Sequence, residues 1–319
     1  HGNFASQGGI IRKSATRLFS YTFNQLLTYK RTFADDHTID LLAGHENYSR
    51  QYNSLFGQKS GLVEGMYELD PATTVDDAGS YQEDYKIESY LARLNYNFRE
   101  KYYIDGSIRT DGSSRFNGEY NWGTFWSIGA NWQLGKENFM QNFTWINILA
   151  LKASYGIQGN DDILDADGYS DYYLWQSFYD LTYPNAGLGG ARIVSLENKR
   201  ISWEKNANFN IGLETKMFDN RLAFEIEYFS RKAENMLLES PMALSTGFSG
   251  YNENVGDMIN KGIEFSIGGD IIRNNTFTWN TKILGGFVKN EVQKLTAESN
   301  QIVKGVRVIE VGKELYTYY

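Results

Sequence analysis

Apolar and polar residues alternate one by one through most of this chain, which is the pattern of β-strands with two unlike faces. In residues 206–217, for example, Phe209 and Ile211 fall on one face. Asn208 and Asn210 fall on the other face. The pattern predicts about ten strands and therefore an all-β fold. The predicted strands are residues 16–31, 37–48, 86–99, 102–111, 122–134, 147–158, 206–217, 221–228, 261–270 and 276–287.

The lengths of these strands and of their connections favour a transmembrane antiparallel β-barrel. Most of them have about 10–15 residues, whereas soluble strands have about five or six and membrane-spanning strands about 9–11. Short and long connections alternate, so short turns lie at one end and long loops at the other, as in bacterial outer-membrane barrels. The short connections are residues 33–36, 100–101, 219–220, 273–275 and the slightly longer 135–144. The long ones are residues 49–85, 112–121, 159–205, 235–259 and 288 onward.

Composition supports strands and argues against several other classes of protein. The 319 residues include 15% aromatic residues, 31 Gly, 3 Pro and no Cys. Aromatic residues suit pleated strands, and the lack of Cys excludes disulfides and thiolate metal sites. The net charge of −8 argues against a nucleic-acid partner, which would need a basic face. Aromatic residues also gather near four short turns, as expected for the aromatic ring at the headgroup level of a barrel.

The sequence shows no pattern typical of catalysis. The three His residues are His1, His37 and His45, and neither a GxSxG nucleophile elbow nor an HExxH zinc motif is present. We therefore predict that the chain is not an enzyme. A glycosidase is the remotest alternative, because it would need two carboxylates about 5–10 Å apart in one cleft.

An acidic run in the predicted loop 159–205 is the best candidate for a metal site. Asp165, Asp167 and Asp171 resemble part of a calcium loop, without its full spacing or its final Glu. A solvated loop explains the same run. We therefore predict no metal and no cofactor, with calcium as the one alternative.

Aromatic residues in the same loop are the candidate contacts for a substrate. Aromatic rings stack on the apolar faces of sugars and also anchor protein interfaces. Packing within the loop or against a partner protein is the first explanation, and direct contact with substrate is the second. The candidate substrate-binding residues are Tyr172, Tyr173, Trp175, Tyr179 and Tyr183.

Six segments carry motifs of a known family. The most specific is DGSSRF at residues 111–116, followed by WGTFWSIGANW at residues 122–132. The others are LKASYGIQGN at 151–160, ISWEKNANFNIGLE at 201–214, NRLAFEIEYF at 220–229 and TGFSGYNENVGDMINKGIEF at 246–265. In this order they resemble the SusC/RagA family of TonB-dependent outer-membrane transporters. Within DGSSRF we expect a structural role for Arg115, pairing with Asp111 or with a plug domain.

The resemblance implies a barrel of about 22 strands that holds an N-terminal plug domain. It implies energy from the TonB complex, a SusD-like surface lipoprotein as a lid, and glycans, oligosaccharides or peptides as substrates. It also implies the outer membrane of a Gram-negative bacterium, with lipid around the barrel and the long loops extracellular. The chain shows no plug, TonB box or C-terminal barrel signal. We therefore expect residues 1–319 to be a partial β-barrel domain, with the plug and further strands outside this chain.

The predicted function is TonB-dependent import of a bulky nutrient through a SusC-like barrel. Two other classes remain as alternatives. One is a passive porin or a structural outer-membrane barrel, and the other is a soluble β-rich module that binds glycans.

Overall fold

A computed structural model describes residues 8–163, 170–185, 188–248, 250–296, 300–304, 306–315 and 317–318. Most of these residues lie in β-strands, with short 3-10 helices at residues 134–136, 138–140 and 244–246. The strands are β1 (Ile10–Phe33), β2 (His37–Ser60), β3 (Thr74–Phe98), β4 (Tyr102–Ser113), β5 (Trp122–Trp132), β6 (Ile146–Asn160), β7 (Phe178–Asn185), β8 (Leu188–Ser195), β9 (Glu204–Met217), β10 (Leu222–Pro241), β11 (Gly250–Arg273), β12 (Thr278–Lys294), β13 (Gln301–Lys304), β14 (Arg307–Glu310) and β15 (Thr317–Tyr318).

Ten of these strands form one up-and-down sheet in the order β1-β2-β3-β4-β5-β6-β9-β10-β11-β12. Strands β7 and β8 form a separate hairpin, and β13, β14 and β15 form a third sheet. In the described part of the chain β1 and β12 are the two edges of the large sheet, which therefore does not close on itself. The prediction of an all-β antiparallel sheet that is part of a barrel is confirmed. None of the helices described is long and apolar enough to cross a membrane.

Contacts divide the chain into two compact units, one of His1–Asn24 with Glu46–Glu88 and one of Gln25–His45 with Ser89–Tyr319. In the first unit, the peptide N–H of Gly61 donates to the carbonyl of Gly9 at 3.2 Å. The N–H of Thr73 donates in turn to the carbonyl of Gly61 at 3.1 Å. These bonds fasten the connection between β2 and β3 within that unit. The second unit contains β4 to β15.

Several strands are longer than predicted, and the long loops are correspondingly shorter. The connection predicted at residues 49–85 is reduced to residues 61–73, because β2 and β3 both extend into it. The one predicted at residues 235–259 is reduced to residues 242–249. Apolar and polar residues alternate regularly only where one face of a strand meets an apolar surrounding. Pairing between strands needs only backbone groups on a neighbouring strand. Strands with polar residues on both faces can therefore continue where the sequence pattern no longer predicts them.

The chain after β12 also folds, although the sequence predicts a loop from residue 288 onward. Strand β12 runs to residue 294, and a small apolar core follows it. In this core Val292, Leu295, Ile302 and Ile309 are all buried. The N–H of Val292 donates to the carbonyl of Lys313 at 2.9 Å, so the segment after β12 folds back on that strand.

The short turns are found where they are predicted, and their backbone explains why they are tight. Ala34 and Asp35 have φ of 47° and 61°, and Arg99 and Glu100 have φ of 54° and 51°. Two successive residues with positive φ form the hairpin turn whose twist matches that of the flanking strands. The side chain of Asn97 supports the second turn, since its Oδ1 accepts a hydrogen bond from the N–H of Glu100 at 2.7 Å.

Over several strands the large sheet exposes bulky apolar side chains on one face, the reverse of a soluble protein. Trp126 is 41% exposed, Ile128 is 52% exposed and Ile283 is 59% exposed. We call this the apolar face. On the opposite, polar face the hydroxyls of Ser107 and Ser127 lie 2.7 Å apart across β4 and β5. An exposed apolar face spread over several strands indicates contact with an apolar phase.

The predicted clustering of aromatic residues at the short-turn end is confirmed for β3, β4 and β5. Phe98 stacks on Tyr102 at 6.1 Å between ring centroids, and Tyr102 stacks on Trp132 at 6.2 Å. The carboxylate of Glu137 accepts hydrogen bonds from the Tyr102 hydroxyl at 2.6 Å and the Trp132 indole N–H at 3.1 Å. These two bonds hold the pKa of Glu137 below its usual range. Rings with a polar edge of this kind suit the boundary between lipid and water.

Replacing Gly159 by Ala tests how closely the long-loop end of β6 is packed. A Cβ at Gly159 would overlap the ring of buried Phe125, which cannot move away because it lies against Trp203 at 5.2 Å. Overpacking of this kind is expected to lower the free energy of unfolding by about 1–3 kcal/mol. The measurement is the urea midpoint of the intact protein in detergent micelles.

The matched control for Gly159→Ala is Gly118→Ala, because a Cβ at Gly118 meets no atom within 4 Å. This control should change the free energy by less than about 0.5 kcal/mol. Equal midpoints for the two variants would contradict the packing described for β6.

Candidate functional site

The DGSSRF segment joins two long loops at the long-loop end of β4. Ser113 and Arg115 are buried, with 1% and 5% of their surface exposed. Nη1 of Arg115 donates to the carbonyl of Asp161 at 2.8 Å and to Oδ1 of Asp162 at 2.6 Å. The Ser113 hydroxyl donates to Oδ2 of Asp161 at 2.6 Å, and the ring of Tyr172 lies 4.7 Å from Cζ of Arg115. We call these five residues the arginine node.

The expected pairing of Arg115 with Asp111 is wrong, although the expected structural role is observed. Oδ1 of Asp111 accepts a hydrogen bond from Nε of Arg109 at 2.6 Å. Arg109 also donates to the hydroxyl of Ser89, which is fully buried, at 2.8 Å. Asp111 therefore belongs to a network on the polar face. Arg115 comes after the end of β4 and reaches the loop that follows β6 instead.

The electrostatics of the arginine node depend mainly on Asp162. Partial burial is the largest single influence on this carboxyl group, and it raises the pKa. The hydrogen bonds from Arg115 at 2.6 Å and from the Ser170 hydroxyl at 2.8 Å lower the pKa, and together they outweigh burial. Because the Asp162 side chain is 56% exposed, solvent screens much of the attraction. The pair therefore orders the loop more than it stabilises the fold.

A small aromatic core lies beside the arginine node and is not predicted from the sequence. The ring of Trp203 lies 5.4 Å from that of Phe116 and 5.2 Å from that of Phe125. Ile163 and Ile201 are buried as well, and none of the five residues is more than 7% exposed. These residues come from distant segments, so alternation cannot show that they meet. Such a core gives the long loops a fixed base.

The structure separates the five candidate substrate-binding aromatics. Tyr172 packs against Arg115 in the arginine node. Tyr173 packs edge-on against Phe178 with ring centroids 6.5 Å apart. The backbone of Tyr183 lies in β7, but its side chain is outside the described residues. Tyr173 thus packs within its own loop, and Tyr172 packs against the segment that follows β4.

Trp175 and Tyr179 line a common cavity of about 800 Å³. Its other walls come from the chain just after β8, from the loop between β10 and β11, and from β11 itself. Among them are Glu197, Met242 and Tyr251, which the sequence does not single out because they lie far from the aromatic run. The Tyr179 ring is well exposed, at 57%. The arrangement is a concave site with apolar rings and polar groups together, the usual composition of a ligand site.

The acidic run is only partly described, so the calcium alternative stays a prediction. Asp165 and Asp167 lie outside the described residues. Oδ1 of Asp171 accepts a hydrogen bond from the N–H of Tyr173 at 2.8 Å. The N–H of Asp171 donates to the carbonyl of Ile163 at 2.8 Å. Within the described part of the chain, no three His, Asp or Glu side chains are grouped so that they could hold a metal ion.

Charged residues on the polar face partly pair with one another. Lys152 on β6 forms an ion pair with Glu214 on β9. Further along the sheet, Glu225, Glu227 and Glu264 line an open concavity of about 460 Å³. A wall of this kind is suited to water and polar solutes, whereas the apolar face is not.

A family model described as TonB dependent receptor-like, beta-barrel matches residues 2–313 of this chain. The chain is 32% identical over 315 residues to TonB-dependent receptor P39 of Formosa agariphila, covering 97% of the chain and 29% of that protein. It is 27% identical over 283 residues to TonB-dependent receptor SusC of Bacteroides thetaiotaomicron, covering 87% of the chain and 28% of that protein.

Similarity to solved structures points to the same family. The chain matches a chain of the RagAB peptide transporter with a TM-score of 0.88 and 28% identity, covering 96% of this chain and 34% of that one. The expected resemblance to SusC/RagA proteins is confirmed. The chain spans about a third of the length of the proteins it matches.

The lowered pKa of Asp162 predicts how the loop after β6 responds to acid. A carboxyl group with a lowered pKa stabilises the folded loop fully above its usual titration range, near about pH 4. That contribution is lost as pH falls further, through the lowered pKa. Asp162→Asn keeps the shape of the side chain but lacks the charge at every pH.

We therefore expect residues 161–163 and 170–177 of the intact protein to exchange amide hydrogens more slowly in the wild type than in Asp162→Asn at neutral pH. The difference should close as pH falls below about 4. Because other carboxyl groups titrate in both proteins, the difference between them isolates Asp162. A difference that does not depend on pH would contradict the role of its charge.

Proposed function

The chain belongs to the TonB-dependent receptor-like β-barrel family, and from this premise we propose that it forms part of the wall of an outer-membrane importer for a bulky nutrient. The nutrient would be a glycan, an oligosaccharide or a peptide. The importer would draw energy from the TonB complex through an N-terminal region of the whole protein. A SusD-like surface lipoprotein would close over the long loops, which would be extracellular.

The exposed apolar face of the sheet is the observation that carries this proposal. Ile128 and Ile283 stand on strands far apart in the sheet, and both are more than half exposed. Water around such a face would cost about 25 cal/mol for each Å² of apolar surface, whereas lipid removes that penalty. The soluble glycan-binding alternative would have to leave this face in water. A membrane position is therefore favoured on energetic grounds.

The polar face and the long-loop end support import rather than a purely structural role. The polar face presents Glu225, Glu227 and Glu264 around an open concavity, which suits a solute path better than a packed interior. At the long-loop end the arginine node orders the start of the loop that follows β6, and residues further along that loop line a second cavity. Relatives named as receptors and transporters share most of this chain, and none of those reported above is named as an enzyme.

Two neighbouring residues of β12 test the membrane position directly. Ile283 lies on the apolar face, whereas Leu284 lies on the polar face with Glu225 and Glu264. Ile283→Arg would place a charge in lipid and is expected to destabilise the inserted barrel by about 2–4 kcal/mol if the site is near the bilayer centre.

Leu284→Arg is the matched control for Ile283→Arg, because both residues are apolar and well exposed, at 69% and 59% respectively. It places the same charge on the polar face and should have little effect. The measurement is the urea midpoint of the intact protein folded into lipid vesicles. Equal loss in both variants would remove the distinction between the two faces.

Dependence on TonB separates an importer from a passive porin. Cells that carry the whole receptor and its proposed lipoprotein partner are given a mixture of oligosaccharides and peptides, and depletion of each from the medium is measured. We expect depletion of one class to stop when TonB is deleted, because the family couples import to that complex. Depletion that continues without TonB would favour the passive porin.

A further inference from the structure

We propose that the cavity lined by Trp175 and Tyr179 is a binding subsite for an uncharged sugar ring, rather than for an acidic sugar or a peptide. The proposal rests on the proposed import function and adds the chemical class of the ligand and its contacts. The subsite is formed by Trp175, Gln176, Tyr179, Glu197, Met242 and Tyr251.

The walls of this cavity are fixed by hydrogen bonds between distant segments. The N–H of Glu197 donates to the hydroxyl of Ser177 at 3.1 Å, which joins the two sides of the β7–β8 hairpin at its base. The side chain of Asn198 donates to the carbonyl of Asn252 on β11 at 2.8 Å. A cavity whose walls are already joined loses little conformational entropy when a ligand binds.

The aromatic residues give the cavity two different surfaces for a ligand. The ring of Tyr179 is 57% exposed, whereas Tyr172 and Tyr173 are engaged in packing. A sugar ring has an apolar face that can stack on such an aromatic ring. Nε1 of Trp175 is buried and has no hydrogen-bond partner among the residues that the structure describes. A buried donor without a partner is unfavourable, and a ligand oxygen that reached it after a small side-chain adjustment would remove that cost.

The charge of the cavity decides between classes of sugar. Glu197 is the charged residue among those that line the described cavity, and no Lys or Arg is among them. Lys199 pairs with the Glu197 carboxylate at 3.3 Å but is not among the residues that line the cavity. A uronic or sulfated sugar would meet a carboxylate without a matching cation, which is unfavourable. Hydroxyl groups can instead donate to Glu197 and exchange hydrogen bonds with the amide of Gln176.

The same features disfavour a peptide as the occupant. Extended peptides are usually bound by pairing with the open edge of a sheet, which supplies main-chain hydrogen bonds. The cavity is lined by residues of four separate segments, which are residues 175–179 with the start of β7, residues 196–197, Met242 and Tyr251. Such a lining fits one ring better than a run of peptide groups.

The experiment is calorimetric titration of the intact receptor, in detergent, with three sets of probes of equal length. These are uncharged hexose and pentose oligosaccharides, uronic-acid oligosaccharides and alanine peptides. We expect at least one uncharged oligosaccharide to bind. Tyr179→Ala should weaken that binding about tenfold through loss of stacking, and Trp175→Phe about fivefold through loss of the indole N–H.

Tyr67→Ala is the matched control, because Tyr67 is 77% exposed and is not among the residues that line the cavity. It should leave the affinity unchanged. Circular dichroism of each variant checks that the barrel remains folded, and Tyr179→Phe should retain most of the affinity because it keeps the ring.

Three results would overturn the proposal. They are tighter binding of the uronic-acid oligosaccharides or peptides, an equal effect of Tyr67→Ala and Tyr179→Ala, and no binding of any uncharged oligosaccharide. TonB-dependent depletion of the medium, measured as above, tests the import function separately from the subsite. TonB-dependent depletion together with normal binding by Tyr179→Ala would disprove the subsite and retain the import function. Loss of TonB dependence would disprove the import function itself.

Discussion

The constraint on which this structure depends is that backbone N–H and C=O groups cannot be left unpaired in lipid. The ladder between β9 and β10 shows how it is met, since every residue from Leu222 to Glu234 has a partner on β9 without a shift in register. Because the backbone is satisfied by pairing alone, the side chains are free to differ between the two faces. The sheet can then be apolar toward lipid and polar on the other side.

The same constraint explains where the structure becomes irregular. Along most of each strand, one face must remain apolar, so substitution is limited on that side. Beyond the apolar band, water can satisfy backbone groups, and the chain can carry polar strands, hairpins and small separate cores. The β7–β8 hairpin and the sheet of β13, β14 and β15 lie outside the large sheet. The aromatic core around Trp203 lies at the long-loop end of the large sheet. Residues that select a ligand can therefore vary in these regions without destabilising the strands that span the membrane.

The arginine node is the feature that joins the strands to the loops. Arg115 is almost fully buried, and burying a charge is costly unless the charge is paired and hydrogen-bonded. Its partners Asp161 and Asp162 come directly after β6, so the position of a strand end fixes the position of the following loop. Tyr172, a residue that could have contacted a substrate, stacks on Arg115 instead. This leaves Trp175 and Tyr179 to line the cavity.

The sequence by itself determined the class of fold, the ten strands of the large sheet and the short turns, because these depend on local alternation and turn chemistry. It also gave the family, through ordered motifs such as DGSSRF. The tertiary structure alone showed that one apolar face extends over strands far apart in the sheet, because alternation in one strand does not say which face it shares with its neighbours. It alone showed that Arg115 pairs with Asp162 rather than Asp111, and that Trp175 shares a cavity with Tyr251. Such contacts join residues far apart in the chain, and their distance is set by strand register and loop packing rather than by any local pattern.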